Sequence, residues 1–203
     1  TPCLFALAAA GDAGMDALLS CETGTHANAK FNIAVAAATV MFLRPDLDSK
    51  KSCAKLAPFA SHLAGLLGDA SVDRAMIKTI LEDMGLAAVK PIADALGSGV
   101  ESSVADQCLT ILKGIAAENK GSPELKPAIP YFVRYESANA LVDSGVLAIT
   151  PLLKAYKKNP KKAKWVTSIL QRIAMNVKNP DTGVVAESKM PSDVERVFAR
   201  HGL

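Results

Sequence analysis

Residues 81–96 read LEDMGLAAVKPIADAL, and residues 141–156 read LVDSGVLAITPLLKAY. Both segments fit the pattern L-x-D-x-G-h-x-A-h-x-P-h-x-x-A-h, in which h is an apolar or aromatic residue. A long pattern that recurs within one chain is typical of a protein built from structural repeats. The pattern therefore predicts one local structure that the chain forms twice.

The residues of the pattern predict two helices joined by a sharp turn. The Leu-x-Asp segment is expected to end a short helix, after which Gly85 or Gly145 lets the backbone turn sharply. Apolar residues then recur at helical spacing, so a second helix is expected to begin at once. Pro91 and its counterpart Pro151 are expected inside that helix, where proline removes a hydrogen bond and bends the helix.

A longer amphipathic helix is predicted after each copy. A loop precedes it, GSG in the first copy and KKNPKK in the second. Ser98 and Glu101 stand at the spacing of a capping box that would open the first of these helices. Apolar residues then follow at spacings of three and four, which indicates a wide stripe facing a core. The predicted core positions are Val104, Cys108, Leu109, Ile111, Leu112 and Ile115 in the first copy, and Trp165, Ile169, Leu170 and Ile173 in the second.

A short helix, a glycine turn, an apolar second helix and a longer third helix resemble an armadillo repeat, and HEAT repeats are a close alternative. The resemblance implies an all-α protein, a right-handed α-solenoid of about nine to eleven helices. The two best copies start 60 residues apart, more than one armadillo repeat of about 40 residues, so an extra helix is expected around Glu124–Tyr135. We expect the repeat array over residues 1–177, with units near 8–43, 53–84, 85–119 and 138–176, and a linker with a C-terminal capping helix over 178–203.

The resemblance also implies an inner, ligand-facing groove formed by the third helices. Armadillo proteins that bind extended peptides use a tryptophan and an asparagine one helical turn apart. Trp165 is the only tryptophan of this chain, and Ile169 stands where the asparagine is expected. The sequence therefore departs from the family pattern for recognising nuclear-localisation peptides.

Positive charge is concentrated in the last quarter of the chain. Residues 1–150 hold 12 Lys and Arg against 16 Asp and Glu, a net charge of −4, whereas residues 151–203 hold 11 against 4, a net charge of +7. Such charge would attract an acidic protein tail, the phosphates of RNA or an anionic membrane surface. The alternative is a solvated loop between helices, and no aromatic RNA-binding motif accompanies the lysines. The basic residues are Lys154, Lys157, Lys158, Lys161, Lys162 and Lys164, flanked by Tyr156 and Trp165.

The segment PAIPYFVRYES contains the densest group of aromatic residues, Tyr131, Phe132 and Tyr135. Large aromatic side chains on the surface of a repeat protein can anchor a partner. They also commonly fill gaps between helices. We treat these three residues, together with Trp165 and the neighbouring lysines, as candidate partner-binding residues.

The sequence carries no recognised catalytic or metal-binding motif. It contains no G-x-S-x-G elbow, no P-loop and no G-x-G-x-x-G turn after a strand. The cysteines form no C-x-x-C pair, and the histidines are far apart. We therefore predict no cofactor, no metal ion and no enzymatic activity; the alternative is a helical enzyme whose residues converge only in three dimensions. The residues concerned are Cys3, Cys21, Cys53, Cys108, His26, His62 and His201.

No apolar run approaches the roughly 18 residues of a transmembrane helix, and we expect segment 31–43 to be a buried helix. Segment 3–13, CLFALAAAGDA, resembles the apolar part of a signal peptide but lacks the basic residues before it, so we expect the end of a helix there. The cysteines are expected to be reduced, which indicates an intracellular, reducing compartment. The cytoplasm is favoured, and a processed organellar subunit is the alternative.

The leading hypothesis for function is a non-enzymatic protein–protein interaction scaffold or adaptor, a subunit of a larger assembly. Repeat proteins present an extended surface to partners and need no pocket to do so. The alternative is an anion-binding module that uses the Lys154–Lys164 segment to hold RNA, an acidic tail or a phosphoinositide surface.

Overall fold

The computed structural model describes residues 12–20 and 49–178, together with scattered residues between 6 and 39. The described residues form α-helices and short 3-10 helices, and none of them lies in a strand. The prediction of an all-α protein is therefore confirmed for this part of the chain. The chain divides into two compact units, Thr1–Ile115 and Ala116–Leu203, and each unit contains one copy of the pattern.

The first unit packs α2 against both α3 and α4, and α1 also contacts α2. Large apolar side chains from these helices are fully buried, among them Phe59, Leu63 and Ile77. Burying each of them stabilises the fold by about 1.5–3 kcal/mol. The helices are α1 (Asp12–Ser20), α2 (Ser49–Leu66), α3 (Arg74–Asp83), α4 (Leu86–Gly97) and α5 (Ser102–Glu118), most of which belongs to this unit.

In the second unit, α7 packs against α6 and α9, and α8 packs against the same two helices. Three short 3-10 helices connect these elements at Pro123–Leu125, Gly145–Ala148 and Pro160–Lys162. The first of them and α6 occupy the segment around Glu124–Tyr135, where an extra helix was predicted. The α-helices are α6 (Ile129–Arg134), α7 (Ala138–Asp143), α8 (Ile149–Lys158) and α9 (Ala163–Lys178).

Each copy of the pattern turns at its glycine, as predicted. In the first copy, α3 ends at Asp83, Gly85 has φ +54° and ψ −126°, and α4 begins at the next residue. Glycine adopts this backbone readily, whereas a residue with a Cβ is strained there. In the second copy, α7 ends at Asp143 and Gly145 has φ +60°. The glycine therefore sets the change of chain direction in both copies.

The two copies bury equivalent residues on either side of the turn. The leucine of the Leu-x-Asp segment, the alanine after the glycine and the apolar residue after the proline are all fully buried in both copies. The pattern thus specifies which positions face the core as well as where the chain turns. The equivalent pairs are Leu81 and Leu141, Ala88 and Ala148, and Ile92 and Leu152.

The second copy departs from the first directly after its glycine. Pro91 lies in the interior of α4 as predicted. In the second copy, Gly145–Ala148 form a 3-10 helix instead, and α8 begins only at Ile149. Pro151 therefore stands in the first turn of α8, where the missing N–H of proline is tolerated. Pro151 thus lies within the second helix as predicted, but so near its start that the predicted loss of a hydrogen bond does not follow.

The third helices bury the predicted apolar stripe, with one correction. All six predicted core residues of α5 are buried. In α9, Ile169, Leu170 and Ile173 are buried, but Trp165 is only half-buried. The adjacent Val166 takes the core position that was predicted for Trp165. The smaller valine faces inward and leaves the indole at the surface.

A side chain caps the start of α3, whereas the cap predicted for the start of α5 does not form. The Asp73 carboxylate accepts hydrogen bonds from the N–H groups of Ala75 and Met76 at 3.0 and 3.1 Å, which caps α3. Ser98 does not open α5, because its hydroxyl donates to the Ala95 carbonyl at the end of α4. The predicted capping box is therefore wrong.

Several predictions fall on residues outside those that the structure describes. They concern most of the unit near 8–43, including most of segments 3–13 and 31–43. They also concern the linker and capping helix predicted over 178–203, apart from Lys178, and residues Cys3, Cys21, His26 and His201. Among the helices that are described, none combines the length and the apolar composition needed to cross a bilayer. The right-handed solenoid arrangement of the repeats stays a prediction.

Gly85→Ala is expected to lower the free energy of unfolding by about 1–3 kcal/mol, because alanine is strained at this backbone conformation. An added Cβ would meet no atom within 4 Å, so crowding does not contribute. Gly65→Ala is the matched control, since its Cβ also enters open space but lies within α2, where alanine is favoured by about 0.5–1 kcal/mol. Urea denaturation followed by circular dichroism measures both variants. Equal stability of the two would contradict the role assigned to Gly85.

Candidate functional site

The six lysines of the basic segment lie where α8 ends and α9 begins. Three belong to α8, two to the 3-10 helix that follows, and one to the first turn of α9. The predicted KKNPKK loop is therefore an ordered junction between helices. We refer to Lys154, Lys157, Lys158, Lys161, Lys162 and Lys164 as the lysine cluster.

Asn159 and Pro160 separate the two helices at this junction. A residue before proline is disfavoured in the α region, and Asn159 has φ −142° and ψ 90°. The Asn159 Oδ1 atom then accepts a hydrogen bond from the Lys161 N–H at 3.2 Å, which opens the 3-10 helix. The junction thus has a defined backbone, and the lysines on either side of it are held at fixed positions along the chain.

Five lysines of the cluster are exposed, and Lys162 is half-buried. Among the described residues, no acidic side chain forms an ion pair with any of the five exposed lysines. Lys162 differs, because its Nζ lies 2.7 Å from Glu136 Oε1 and 5.6 Å from the centre of the Trp165 ring. The cation–π contact lies within the junction, and the ion pair joins the junction to the turn between α6 and α7. Lys162 therefore has a structural role that its neighbours do not share.

The surroundings of the cluster leave its charge largely uncompensated. Residues 149–178 contain eight Lys and Arg and no Asp or Glu. Lys154 lies three and four residues before Lys157 and Lys158, so like charges are neighbours on one face of α8. Such a surface has a positive potential that attracts anions and raises their local concentration. The arrangement can therefore hold a negatively charged group or chain.

The turn that supplies Glu136 has an uncommon backbone conformation. Glu136 has φ +52°, which costs a non-glycine residue on the order of 1 kcal/mol or more. The Ser137 N–H donates to the Phe132 carbonyl at 2.8 Å and closes this turn. Ser137 is itself buried, and its hydroxyl has no hydrogen-bond partner among the described residues. Sequence reasoning missed Glu136, because no periodic pattern relates it to a lysine 26 residues later.

The structure gives the three candidate aromatic residues different positions. Phe132 is fully buried in the core, which corrects its prediction as a partner contact. Tyr131 is half-buried, whereas Tyr135 is exposed and has the Arg134 guanidinium 5.4 Å from the centre of its ring. Tyr135 directly precedes Glu136. The ion pair to Lys162 therefore brings the exposed tyrosine turn and the lysine cluster, which the sequence presented as separate regions, into one part of the second unit.

Separate polar contacts join α7 to α9 and to the segment that precedes the first 3-10 helix. The Arg172 Nη2 atom donates to Asn139 Oδ1 at 2.9 Å, and the Gly121 N–H donates to the Asp143 carbonyl at 2.8 Å. Burial raises the pKa of the Asp143 carboxyl, while the charges of Lys120 and Arg172 partly oppose this rise. These contacts hold α7 in place, so we assign the group to the packing of the second unit.

Two observations concern metal-type clusters and the thiol of Cys108. Within them, no three His, Cys, Asp or Glu side chains converge as they would around a metal ion. Cys108 is a free thiol, fully buried in α5, and burial raises its pKa to about 11. The thiolate is the reactive form of cysteine, so a neutral buried thiol behaves as a small apolar residue.

Comparisons with protein-family models, with curated proteins and with solved structures return no match to this chain. The resemblance to armadillo and HEAT repeats therefore rests on the repeated pattern and on the local structure that the pattern forms. The interpretation of the lysine cluster rests likewise on its own geometry and charge.

The parent chain is expected to lose stability between pH 9 and 11 because of Cys108, and the Cys108→Ala variant is expected to lack this contribution. The pKa of Cys108 is about 11 in the folded chain against an ordinary 9.0, so the unfolded chain binds fewer protons in this interval. The free energy of unfolding therefore falls as pH rises, by at most about 3 kcal/mol. Urea denaturation at several pH values should show a steeper decline for the parent chain than for the variant. Parallel curves would contradict the burial of this thiol.

Proposed function

We propose that this chain is a non-enzymatic protein–protein interaction scaffold, one subunit of a larger assembly. The observation that supports the proposal is the common order of elements in the two units: a helix, a glycine turn, a second helix and a longer third helix. Units of this kind, stacked in an armadillo-like right-handed solenoid, would present an extended surface to protein partners. Cys108, a free thiol in the core, supports a reducing compartment, and of such compartments we favour the cytoplasm over an organelle.

Affinity purification of the tagged full chain from its native source tests the scaffold. A stoichiometric partner is expected to stay bound at about 500 mM salt, because apolar contacts are not screened as exposed charges are. The Lys157→Glu/Lys161→Glu chain is the control and should retain the same partner, since these lysines would not belong to an apolar interface. A purified chain that stays monomeric and retains no partner would contradict the scaffold.

The second candidate function is an anion-binding module. It is favoured by the five exposed lysines at the α8–α9 junction, which have no ion-pair partner among the described residues. Binding that depends on such exposed charges weakens steeply as salt rises. A scaffold could also carry this function, because the cluster occupies only one part of the second unit.

A heparin column tests the anion-binding function. Replacing four exposed lysines of the cluster with alanine should move elution to lower salt without unfolding the chain, because the positive potential falls at one place. The matched control removes four exposed lysines elsewhere and should elute close to the parent chain. Elution of both variants at the same salt would show that only net charge matters and would contradict a specific site. The cluster variant changes Lys154, Lys157, Lys158 and Lys161, and the control changes Lys90, Lys113, Lys120 and Lys126, all exposed.

A further inference from the structure

We propose that the lysine cluster is a docking surface for an acidic peptide segment of another protein, and that Lys162 is not one of its contacts. The inference rests on the anion-binding function proposed above and narrows that function to one class of partner. The lysines that face the peptide are Lys154, Lys157, Lys158, Lys161 and Lys164, all of them exposed.

The structure already contains one example of the proposed contact. Glu136 lies on the turn between α6 and α7, and its Oε1 atom is 2.7 Å from Lys162 Nζ. A carboxylate on a non-helical segment of protein chain thus reaches this cluster and forms a direct ion pair. An acidic peptide presents the same chemical group at intervals of about 3.3 Å along an extended chain. The lysines that Glu136 does not engage are those left for the peptide.

The side chains around the cluster favour a protein segment over a nucleic acid. Proteins that hold single-stranded nucleic acid stack its bases on exposed aromatic rings. Tyr156 and Trp165 are the aromatic residues within 149–178, and both are half-buried. Tyr135 on the α6–α7 turn is exposed, but the Arg134 guanidinium lies over its ring, 5.4 Å from the ring centre. Lys162 lies over the Trp165 ring, which leaves that ring less accessible to a base. A peptide rich in carboxylates needs no stacking platform. It needs exposed ammonium groups, which the cluster supplies.

The same surface is poorly suited to a lipid bilayer. A cluster of lysines attracts anionic lipid headgroups, but stable membrane binding needs a second contribution, commonly apolar residues that enter the headgroup region. Within residues 154–164, the exposed side chains are lysines together with Asn159 and Pro160, and Tyr135 on the α6–α7 turn adds an exposed ring that ends in a hydroxyl. The surface is therefore charged and polar, which matches a peptide rich in Asp or Glu.

Fluorescence anisotropy with a labelled peptide of about ten glutamates tests the inference on the full chain. Lys157→Glu/Lys161→Glu should weaken binding about tenfold, since two attractive charges become repulsive. Lys113→Glu/Lys126→Glu changes net charge equally at two exposed lysines outside the cluster and should weaken binding less than about threefold. Circular dichroism of each chain checks that its helices are retained. Equal weakening in the two variants would overturn the inference.

The separate role of Lys162 is tested with the same peptide. Glu136→Gln should tighten binding about twofold, because it removes a negative charge beside the cluster that repels the peptide. Glu118→Gln removes an equal charge from an exposed position and should leave the affinity unchanged. Lys162→Ala should leave the affinity within about twofold of the parent value, because this lysine is already engaged. A loss as large as that of Lys157→Glu/Lys161→Glu would show that Lys162 contacts the peptide.

Two further probes separate this inference from the function on which it rests. They are a thymidine oligonucleotide of equal charge and vesicles containing phosphatidylserine. In one outcome, one of these probes binds more tightly than the peptide and loses that binding in the Lys157→Glu/Lys161→Glu chain. That result would overturn the acidic-peptide inference and leave the anion-binding function in place. Failure of all three probes to bind would overturn both. The inference is supported if the chain binds the peptide more tightly than it binds either of the other two probes.

Discussion

The left-handed backbone at Gly85 is the constraint on which the packing of the first unit depends. Because α3 ends at Asp83 and α4 begins at Leu86, the chain has almost no linker in which to change direction. A single residue must therefore supply the whole turn, and its dihedral angles lie where glycine alone is unstrained. The space around Gly85 is open, so the requirement comes from the backbone and not from crowding. With the turn set, the apolar residues on both sides of it reach one core.

In the second unit, a weak contact links two segments that lie far apart in the sequence. The Glu136–Lys162 pair connects the α6–α7 turn to the α8–α9 junction, and both side chains retain contact with solvent. Exposed ion pairs contribute at most about 1 kcal/mol and are screened by salt. The helices are therefore held together by their buried side chains. The ion pair only connects the exposed α6–α7 turn to the exposed α8–α9 junction. Loss of this pair would therefore leave the core of the unit intact.

Residues with a local or periodic signal could be predicted from the sequence, whereas those set by distant contacts could not. The turns at Gly85 and Gly145 and the buried face of α5 follow from residue type and spacing alone, because these features depend on neighbours in the chain. Trp165 was expected in the core because it continues the apolar period, yet Val166 is buried in its place. The local sequence does not show whether Trp165 or Val166 is buried, because this depends on how α9 packs against the other helices of its unit. Phe132 was ambiguous for the same reason, and Glu136 acquires its role only through a lysine far along the chain.

The position of Trp165 has a consequence for how this molecule can be observed. It is the only indole in the chain, it lies half at the surface, and an ammonium group lies over its ring. The ultraviolet emission of the whole protein under tryptophan excitation therefore originates from one spot beside the α8–α9 junction. The chain carries its own optical label at the surface where an anionic partner would bind, and occupancy of that surface can be followed in the native protein without any attached dye.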